Sequence, residues 1–134
     1  MPHLIHQKVT LPASPGELFD IYLDSKRHGA AIDDKVTISR KVGSRFTAFD
    51  GMLRGRTLMI VPNRMIVQSW RADSWKKTDP DSVLILQFDR AKNGGCITLV
   101  HINVPAHAYR NINEGWPNHY WKPWKAYLKT RRSH

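Results

Sequence analysis

The segment that decides the fold is GWPNHYWKPWKAYL, at residues 115–128. Large apolar side chains recur in it at helical steps: Trp116, Tyr120, Trp124, Tyr127 and Leu128. Residues three or four positions apart share one face of a helix, so the pattern predicts a long C-terminal helix with an aromatic face. We expect it to begin at Asn113 or Glu114. Pro123 lies inside the pattern and removes one backbone hydrogen bond, which predicts a kink.

Upstream of this helix the apolar pattern changes to a period of two, which is typical of strands. Strands are predicted over residues 3–11, 35–39, 45–49, 52–61, 64–71, 82–90 and 96–104. The pairs Asp50-Gly51 and Asn93-Gly94 predict two-residue hairpin turns, and Pro62-Asn63 predicts another turn. In the strand over 96–104, Ile97 and Leu99 compete with Val100 and Ile102 for the core face.

Two short helices are predicted between the first two strands. Ser14 and Glu17 have the spacing of a capping box, and Pro15 is tolerated in a first helical turn. The helix continues to residue 23, and Asp24 or Ser25 can start a short second helix that runs through Lys26 to Ala31. Strands in sequence with helices before and after them predict an α+β fold, with the helices on one face of an antiparallel sheet. We expect residues 1–134 to form one domain.

Composition excludes several classes of protein. The 134 residues are 41% hydrophobic and 24% charged, which is typical of a globular domain. Cys96 is the single cysteine, so an internal disulfide or a cysteine-based metal cluster is excluded. The sequence has neither the apolar run of a membrane span nor that of a signal peptide, and we expect a cytoplasmic protein. The net charge of +10 indicates either a solvated basic surface that keeps the protein in solution, which is the simpler interpretation, or a surface that attracts anionic partners.

Several blocks of the sequence, spread over nearly its full length, carry a family resemblance. They are ASPGELF at 13–19, GSRF at 43–46, FDG at 49–51, Gly55, VPNRMIVQSWR at 61–71, Trp75, His101, Val104-Pro105, Gly115-Trp116 and YWKP at 120–123. With these blocks the chain resembles the activator of heat-shock protein 90 ATPase homologue family of the START-like (SRPBCC) superfamily. Two positions depart from the family pattern, Val42 and Gly95.

The resemblance implies the helix-grip fold, in which a curved antiparallel sheet wraps around a long C-terminal helix. Members of the superfamily often hold an apolar ligand between sheet and helix. In this family the fold also forms one of two domains in co-chaperones that stimulate the chaperone's ATPase. The resemblance therefore implies either a small-molecule site or a chaperone-binding role.

A group of ring-bearing residues could line such a cavity. The candidates are Phe19, Tyr22, Trp70, Trp75, Phe88, His101, Trp116, Tyr120 and Trp124. Tyrosine and tryptophan combine apolar bulk with one polar atom, which suits an amphipathic ligand. The alternative is that these rings fill the core, as close packing requires. The leading hypothesis is a non-enzymatic domain that binds an apolar or amphipathic molecule between the sheet and the C-terminal helix.

Catalytic and metal-binding signatures are missing from the sequence. There is no nucleophile motif, no glycine-rich phosphate loop and no HExxH-type spacing among the seven histidines. His101, on the strand with Ile97 and Leu99, is more simply a satisfied, half-buried histidine than a ligand. We therefore expect no cofactor, no metal and no catalysis.

The C-terminal helix also carries a basic set without an acid among its members. These candidate partner-binding residues are Lys122, Lys125, Lys129, Arg131 and Arg132. They favour an alternative hypothesis, a stress-related co-chaperone-like module that binds a chaperone or another acidic protein. Some of them could simply stabilise the negative end of the helix dipole. We expect no nucleic-acid binding, because aromatic rings are not interleaved with these lysines.

Overall fold

An antiparallel sheet of six strands forms one layer of the protein, in the spatial order β1-β6-β5-β4-β3-β2. The computed structural model describes residues 3–132, and side chains as far as residue 130. The strands are β1 (His3–Leu11), β2 (Arg45–Ala48), β3 (Leu53–Val61), β4 (Met65–Ala72), β5 (Ser82–Ala91) and β6 (Gly94–Val104). The helices are α1 (Pro15–Leu23), α2 (Ser25–Ile32), α3 (Tyr109–Gly115) and α4 (Lys122–Arg132).

Two capping side chains determine where α1 and α2 begin. The hydroxyl of Ser14 accepts a hydrogen bond from the backbone N–H of Glu17 at 3.1 Å, as the capping box predicted. Asp24 caps the C-terminus of α1, because its backbone N–H donates to the carbonyl of Ile21. The carboxylate of Asp24 also caps the N-terminus of α2, where it accepts from the N–H of Arg27 at 2.9 Å. The corner between the two helices lets α1 pack on β5 and β6 of the sheet while α2 packs against α4 and the π-helical segment.

The inner face of the sheet is defined by the pairing of β5 with β6. Leu84 lies opposite His101, and Leu86 lies opposite Leu99, and all four side chains are buried. Strand residues alternate between faces, so Ile102 points outward. The pairing therefore shows which side chains of β6 face the core: those on the side of Leu99, and not those on the side of Ile102.

Two of the predicted strand features are wrong in detail. Residues 35–39 form a single bridge, Thr37 to Thr47, rather than a strand, although Val36 and Ile38 are buried. The connection between β2 and β3 takes the four residues 49–52 instead of the pair Asp50-Gly51, because Phe49 as well as Asp50 adopts a left-handed conformation. The extra length brings the Phe49 ring toward the helices.

The turn between β5 and β6 is also shifted by one residue from the expected Asn93-Gly94. Ala91 pairs with Gly94, so Lys92 and Asn93 form the turn, and Asn93 carries the positive φ of 65°. Gly94 is required for another reason. A Cβ there would lie 2.2 Å from the backbone oxygen of Leu11, so only glycine allows this approach to the end of β1.

The C-terminal helix begins earlier than expected, at Tyr109 rather than Asn113 or Glu114. A 3-10 turn over Ala106–Ala108 leads into α3, and a π-helical segment, Trp116–Trp121, joins α3 to α4. Lys122 donates its N–H to the carbonyl of Pro117, five residues back. Pro123 has no N–H to donate to the preceding turn. The irregularity predicted there as a kink therefore takes the form of the wider, π-helical turns just before Pro123.

Candidate functional site

A pocket of about 420 Å³ opens between the helices and one end of the sheet. Three walls surround it: the β2–β3 connection, the end of β4 with the loop after it, and the stretch from the 3-10 turn to the π-helical segment. The lining residues are Phe49, Met52, Leu53, Trp70, Ala72, Ser74, Trp75, Ala108, Asn111, Ile112, Gly115, Trp116, His119 and Tyr120. The lining is mostly apolar, with a small number of polar side chains.

Small residues create the open space. Ala72 lies in the β4 wall, Ala108 and Gly115 lie in the helical wall, and none of the three projects more than a methyl group into the pocket. A Cβ built on Gly115 would meet the His119 ring carbon at 3.6 Å, an ordinary contact distance, so the space beside Gly115 is free of backbone. Packing elsewhere in a protein core normally fills such volumes.

Side-chain hydrogen bonds fix the walls of the pocket. The Gln7 amide on β1 donates to the backbone oxygen of Asn113 at 2.7 Å, which ties α3 to the sheet. His107, just before α3, bonds through Nε2 to the Asp79 carboxylate at 2.7 Å. Asp79 belongs to the loop that carries Trp75, so this loop and the helical wall are held together.

Four predicted aromatic residues meet at the pocket. The Trp70 ring lies 5.7 Å from that of Trp75 and 6.0 Å from that of Trp116, between ring centroids. Trp116 is in turn 4.8 Å from Tyr120. Trp70 faces inward because it follows Ile66 and Gln68 at alternate positions of β4. All three ring pairs are tilted, and the four rings together form a continuous part of the pocket wall.

Behind this wall, His101 anchors Trp70 and Trp116. The Ser82 hydroxyl donates to the backbone oxygen of Trp70 at 2.6 Å. Because its only proton is used in this bond, the Ser82 oxygen accepts from His101 Nε2, at 2.8 Å, and His101 Nδ1 accepts from the Trp116 indole N–H at 3.2 Å. Each donor in this chain has one acceptor, which requires neutral His101 with its proton on Nε2.

Burial lowers the pKa of His101 from 6.5 to about 3, so the imidazole is uncharged at neutral pH. The His101–Ser82 pair does not have the arrangement of a nucleophile and its base. Ser82 is fully buried, its proton is directed at a carbonyl, and His101 donates to it instead of accepting. The pair orients the two tryptophans of the pocket wall.

A second polar network closes the neighbouring part of the sheet–helix space. His28 Nδ1 lies 2.7 Å from the backbone oxygen of Tyr22, so this nitrogen carries the proton. His28 Nε2 then accepts from the Tyr120 hydroxyl at 2.9 Å. The Tyr22 hydroxyl donates to Gln68 Oε1 at 2.8 Å, and Gln68 donates to Thr57 at 3.2 Å. The buried polar atoms of this network are thus satisfied within the chain.

The electrostatics of this network follow from its burial. Desolvation lowers the pKa of His28 from 6.5 to about 4, although its bond to the Tyr22 carbonyl acts in the opposite direction. Desolvation also raises the pKa of the Tyr120 hydroxyl well above 10, and the nearby Tyr22 adds to this. All three groups are neutral at pH 7, so no charge is stored here.

Of the nine predicted cavity residues, four line the pocket: Trp70, Trp75, Trp116 and Tyr120. The other five pack elsewhere. His101 lies behind the wall, Tyr22 and Trp124 fill the closed part beside His28, and Phe19 packs edge-to-face on Phe88 at 5.7 Å under α1. These five are absent from the pocket because neighbouring side chains already occupy the space around their rings.

Most other lining residues were missed for a simple reason. Ala72, Ala108 and Gly115 contribute by being small, and a sequence pattern of large rings does not reveal missing volume. Phe49 was assigned to a strand, and His119 carried no signal of its own, although its four-residue spacing from Gly115 places both on one helix side.

No group of three histidine, cysteine or acidic side chains within the described residues is arranged to hold a metal ion. Cys96 is buried and unpaired. Helices long and apolar enough to cross a bilayer are likewise missing from the described part of the chain.

The predicted basic set lies along the outer side of α4. Lys122, Lys125 and Lys129 are exposed, and Lys122 bonds to the Asn118 side chain at 3.2 Å. The backbone of Arg131 and Arg132 continues the helix, and their side chains lie outside the described residues. None of the three lysines lines the pocket, whose helical wall is formed by the 3-10 turn, α3 and the π-helical segment.

Comparison with known proteins gives the class of fold first. A solved structure of an HSP90 activator from Plasmodium falciparum superposes with a TM-score of 0.86 over 94% of this chain and 96% of that one, at 21% identity. The chain therefore has the helix-grip fold of the START-like proteins, as predicted.

The family follows from sequence. A family profile described as "Activator of Hsp90 ATPase homolog 1-like protein" matches residues 12–129, and the chain belongs to this family. An activator of 90 kDa heat shock protein ATPase homolog from Dictyostelium discoideum is 25% identical over 81% of this chain. The human homolog 1 is 26% identical over 86% of it. This chain spans only 28% and 34% of the lengths of those two relatives.

Proposed function

We propose that this protein is a non-enzymatic binding domain whose pocket holds one apolar or amphipathic small molecule. The observation that carries the proposal is the pocket of about 420 Å³ between the aromatic wall and the C-terminal helix. Ligand pockets usually have volumes of roughly 300–1,000 Å³ and apolar walls with a few polar groups. An apolar molecule in this pocket would remove its own surface and that of the surrounding rings from water, which favours binding.

The lining suggests the chemistry of the ligand. Trp70, Trp75 and Trp116 offer flat apolar surfaces, which favours a molecule with a ring system or a branched hydrocarbon. Ser74, Asn111 and His119 are exposed polar residues of the lining, so one polar end of the ligand would remain near solvent. The arrangement offers no activated nucleophile, which supports binding rather than turnover.

The direct test is a native mass spectrum of the protein purified without added ligand, compared with its denatured mass. We expect extra mass under native conditions that disappears on denaturation. The spectrum is repeated after incubation with a neutral, solvatochromic naphthalene dye. A bare native mass combined with no uptake of the dye would contradict the proposal.

A pocket-filling variant makes the test specific. Gly115→Leu would place four carbons in the pocket without meeting backbone, so bound mass and dye uptake should both be lost while the fold is retained. Ile102→Ala, on the outer face of the sheet, is the matched control and should bind as the wild type does. Unchanged binding by Gly115→Leu would place the ligand elsewhere.

A second candidate function is binding to an Hsp90-type chaperone. Two observations support it. The relatives are described as activators of the 90 kDa heat shock protein ATPase, and the exposed lysines of α4 form a basic surface, which favours an acidic partner. We expect affinity for purified Hsp90 that falls steeply with salt and that Lys125→Glu weakens several-fold. A stress-related, cytoplasmic role would accompany this function. No interaction at low salt would exclude it.

A further inference from the structure

The exposed large apolar side chains of the described residues concentrate at one edge of the sheet. Val42, Leu58, Met59 and Val61 are 54%, 48%, 49% and 37% exposed. All four lie on β3 or on the turn before β2, and we refer to them as the β3 edge patch. Single exposed apolar residues are ordinary, but a group of four on one strand edge calls for an explanation.

The backbone of this edge lacks a neighbouring strand. β2 pairs with β3 only from Leu53 to Arg56, and the last bonds link Thr57 to Ser44 and Gly43, at 3.0 and 2.7 Å. From Leu58 to Val61, β4 pairs on one side, while no strand of the described chain pairs on the other. A free strand edge offers N–H and C=O groups to an incoming strand.

A bulge shapes this edge. The register between β3 and β4 shifts between Thr57 and Met59, so Leu58 is an extra residue on β3. Bulges turn an edge and limit how far it pairs. An added strand would therefore be short, held by about three residues of backbone and by side-chain contacts with the β3 edge patch.

Basic residues flank the β3 edge patch at both ends. Arg56 and Arg45 lie directly opposite each other on β3 and β2, and Arg64 follows Val61 in the turn to β4. All three are exposed, and none of the salt bridges among described side chains involves them. Arg56 donates one hydrogen bond, to the Gly43 carbonyl at 3.0 Å, and this bond leaves its charge without an acidic partner among these salt bridges. Two arginines opposite each other repel, so a carboxylate placed between them would be attracted to both.

We propose that the β3 edge patch is a docking site for an extended segment of another protein, with an apolar centre and acidic residues at its ends. The segment adds a strand beside Leu58–Val61. Its apolar side chains cover Met59 and Val61, and its carboxylates approach Arg56 and Arg64. This interaction is separate from the pocket, which lies between the helices and the β2–β3 connection.

A second copy of this chain fits the edge less well. Antiparallel pairing of residues 58–61 with themselves would place Arg56 of each copy beside Arg64 of the other. Each copy also carries a net charge of +10. Charge complementarity therefore favours an acidic partner over self-association.

The test uses two synthetic seven-residue peptides with the same Val-Ile-Val centre, one with two acidic residues at each end and one with two lysines at each end. Binding is followed by amide chemical shifts of the labelled full-length protein. We expect the acidic peptide to shift the amides of residues 58–61 and to bind at least tenfold more tightly than the lysine peptide.

Variants locate the site. Met59→Lys should weaken the acidic peptide at least tenfold, whereas Leu4→Lys, at a residue 60% exposed on β1, should leave its affinity unchanged. Arg56→Glu should reduce the preference for the acidic peptide. Circular dichroism confirms that each variant is folded.

Three results would overturn the proposal. The first is that millimolar acidic peptide leaves the amides of residues 58–61 unshifted. The second is that Met59→Lys binds the peptide as tightly as the wild type does. The third is a concentration-dependent dimer in sedimentation experiments that Met59→Lys abolishes, because a second copy would then occupy the edge.

Discussion

The space between the sheet and the helices has two parts that use the same kinds of residue differently. In the closed part, Tyr22, His28 and Trp124 fill the volume, and their neighbours satisfy most of the buried polar atoms. In the open part, Trp70 and Trp75 border a pocket of about 420 Å³. Tyr120 separates the two, because its ring lines the pocket while its hydroxyl bonds to His28.

The difference shows that aromatic content alone does not make a cavity. Both parts are rich in rings and each contains a neutral, buried histidine. The open part differs in having Ala72, Ala108 and Gly115 where the closed part has large side chains. The open space therefore depends on small residues at least as much as on the tryptophans that surround it.

Truncating one ring in each part should give the largest difference in stability between the two parts. Trp124→Ala would leave a closed cavity and should lower the free energy of unfolding by about 3–5 kcal/mol. Trp75→Ala would enlarge a pocket that is already open, so about 2 kcal/mol is expected, without the cost of a closed cavity. Urea unfolding measures both, and equal losses would contradict the distinction.

A conservative change supplies the control at the closed part. The indole N–H of Trp124 is buried without a hydrogen-bond partner among the described residues. Trp124→Phe keeps a ring and removes this unsatisfied donor, so it should cost less than half as much as Trp124→Ala.

Acid should destabilise both parts through their histidines. The folded-state pKa values of His28 and His101, about 4 and about 3, lie below the ordinary value of 6.5. As the pH falls from 6.5 toward 4, these histidines bind protons in the unfolded chain but not in the folded one. The free energy of unfolding therefore has its full value above pH 6.5 and declines below it. Each histidine contributes a slope of up to about 1.4 kcal/mol per pH unit.

Urea unfolding between pH 7.5 and pH 4.5 checks this slope. His101→Gln should flatten it, because this variant lacks one of the two buried imidazoles. Stability that stays constant down to pH 4.5 in the wild type would show that the two imidazoles are not held neutral.

Removing one hydroxyl from the closed network should have an intermediate effect. Tyr22→Phe leaves Gln68 Oε1 without its donor in a buried site, and a loss of about 1–3 kcal/mol is expected. His119→Ala, at the open part, should change stability by less than about 0.5 kcal/mol. Comparable losses of stability in the two variants would contradict the claim that buried hydrogen bonds stabilise the closed part more than the open part.

Filling the open part should have the smallest effect on stability. Gly115→Leu replaces a helical glycine, which favours the helix by about 0.5–1 kcal/mol. We expect thermal unfolding of this variant to be unchanged or slightly raised. A large loss of stability would mean that the pocket in the free protein is less open than its 420 Å³ indicates.

Much of the fold could be predicted from the sequence because periodicity records which side chains face the core. Alternation located β3, β4, β5 and β6 to within a residue or two, and the capping box located α1. The start of the C-terminal helix was misplaced because Tyr109 and Ile112 form only a weak apolar face among polar residues. The π-helical segment depends on how two prolines share one helix, which residue spacing does not report.

The site was less predictable than the fold. Residue type identified four wall residues, whereas strand alternation left open whether His101 faces the core, and only the pairing of β5 with β6 settled it. The role of His101 became visible only with Ser82 and Trp116 beside it, since a hydrogen-bond chain depends on three elements meeting. Which rings border open space depends on neighbouring volume, so Phe19 and Trp70 could not be distinguished by their type.

The most direct test of the account uses the five tryptophan indole signals as reporters on the two parts. Their N–H resonances are assigned with single Trp→Phe variants, and the protein is titrated with the neutral naphthalene dye. The account predicts that the signals of Trp70 and Trp75 move while that of Trp124 stays in place, and that Gly115→Leu abolishes these changes. Saturating dye that moves none of the signals, or that moves the Trp124 signal as far as those of Trp70 and Trp75, would contradict the account.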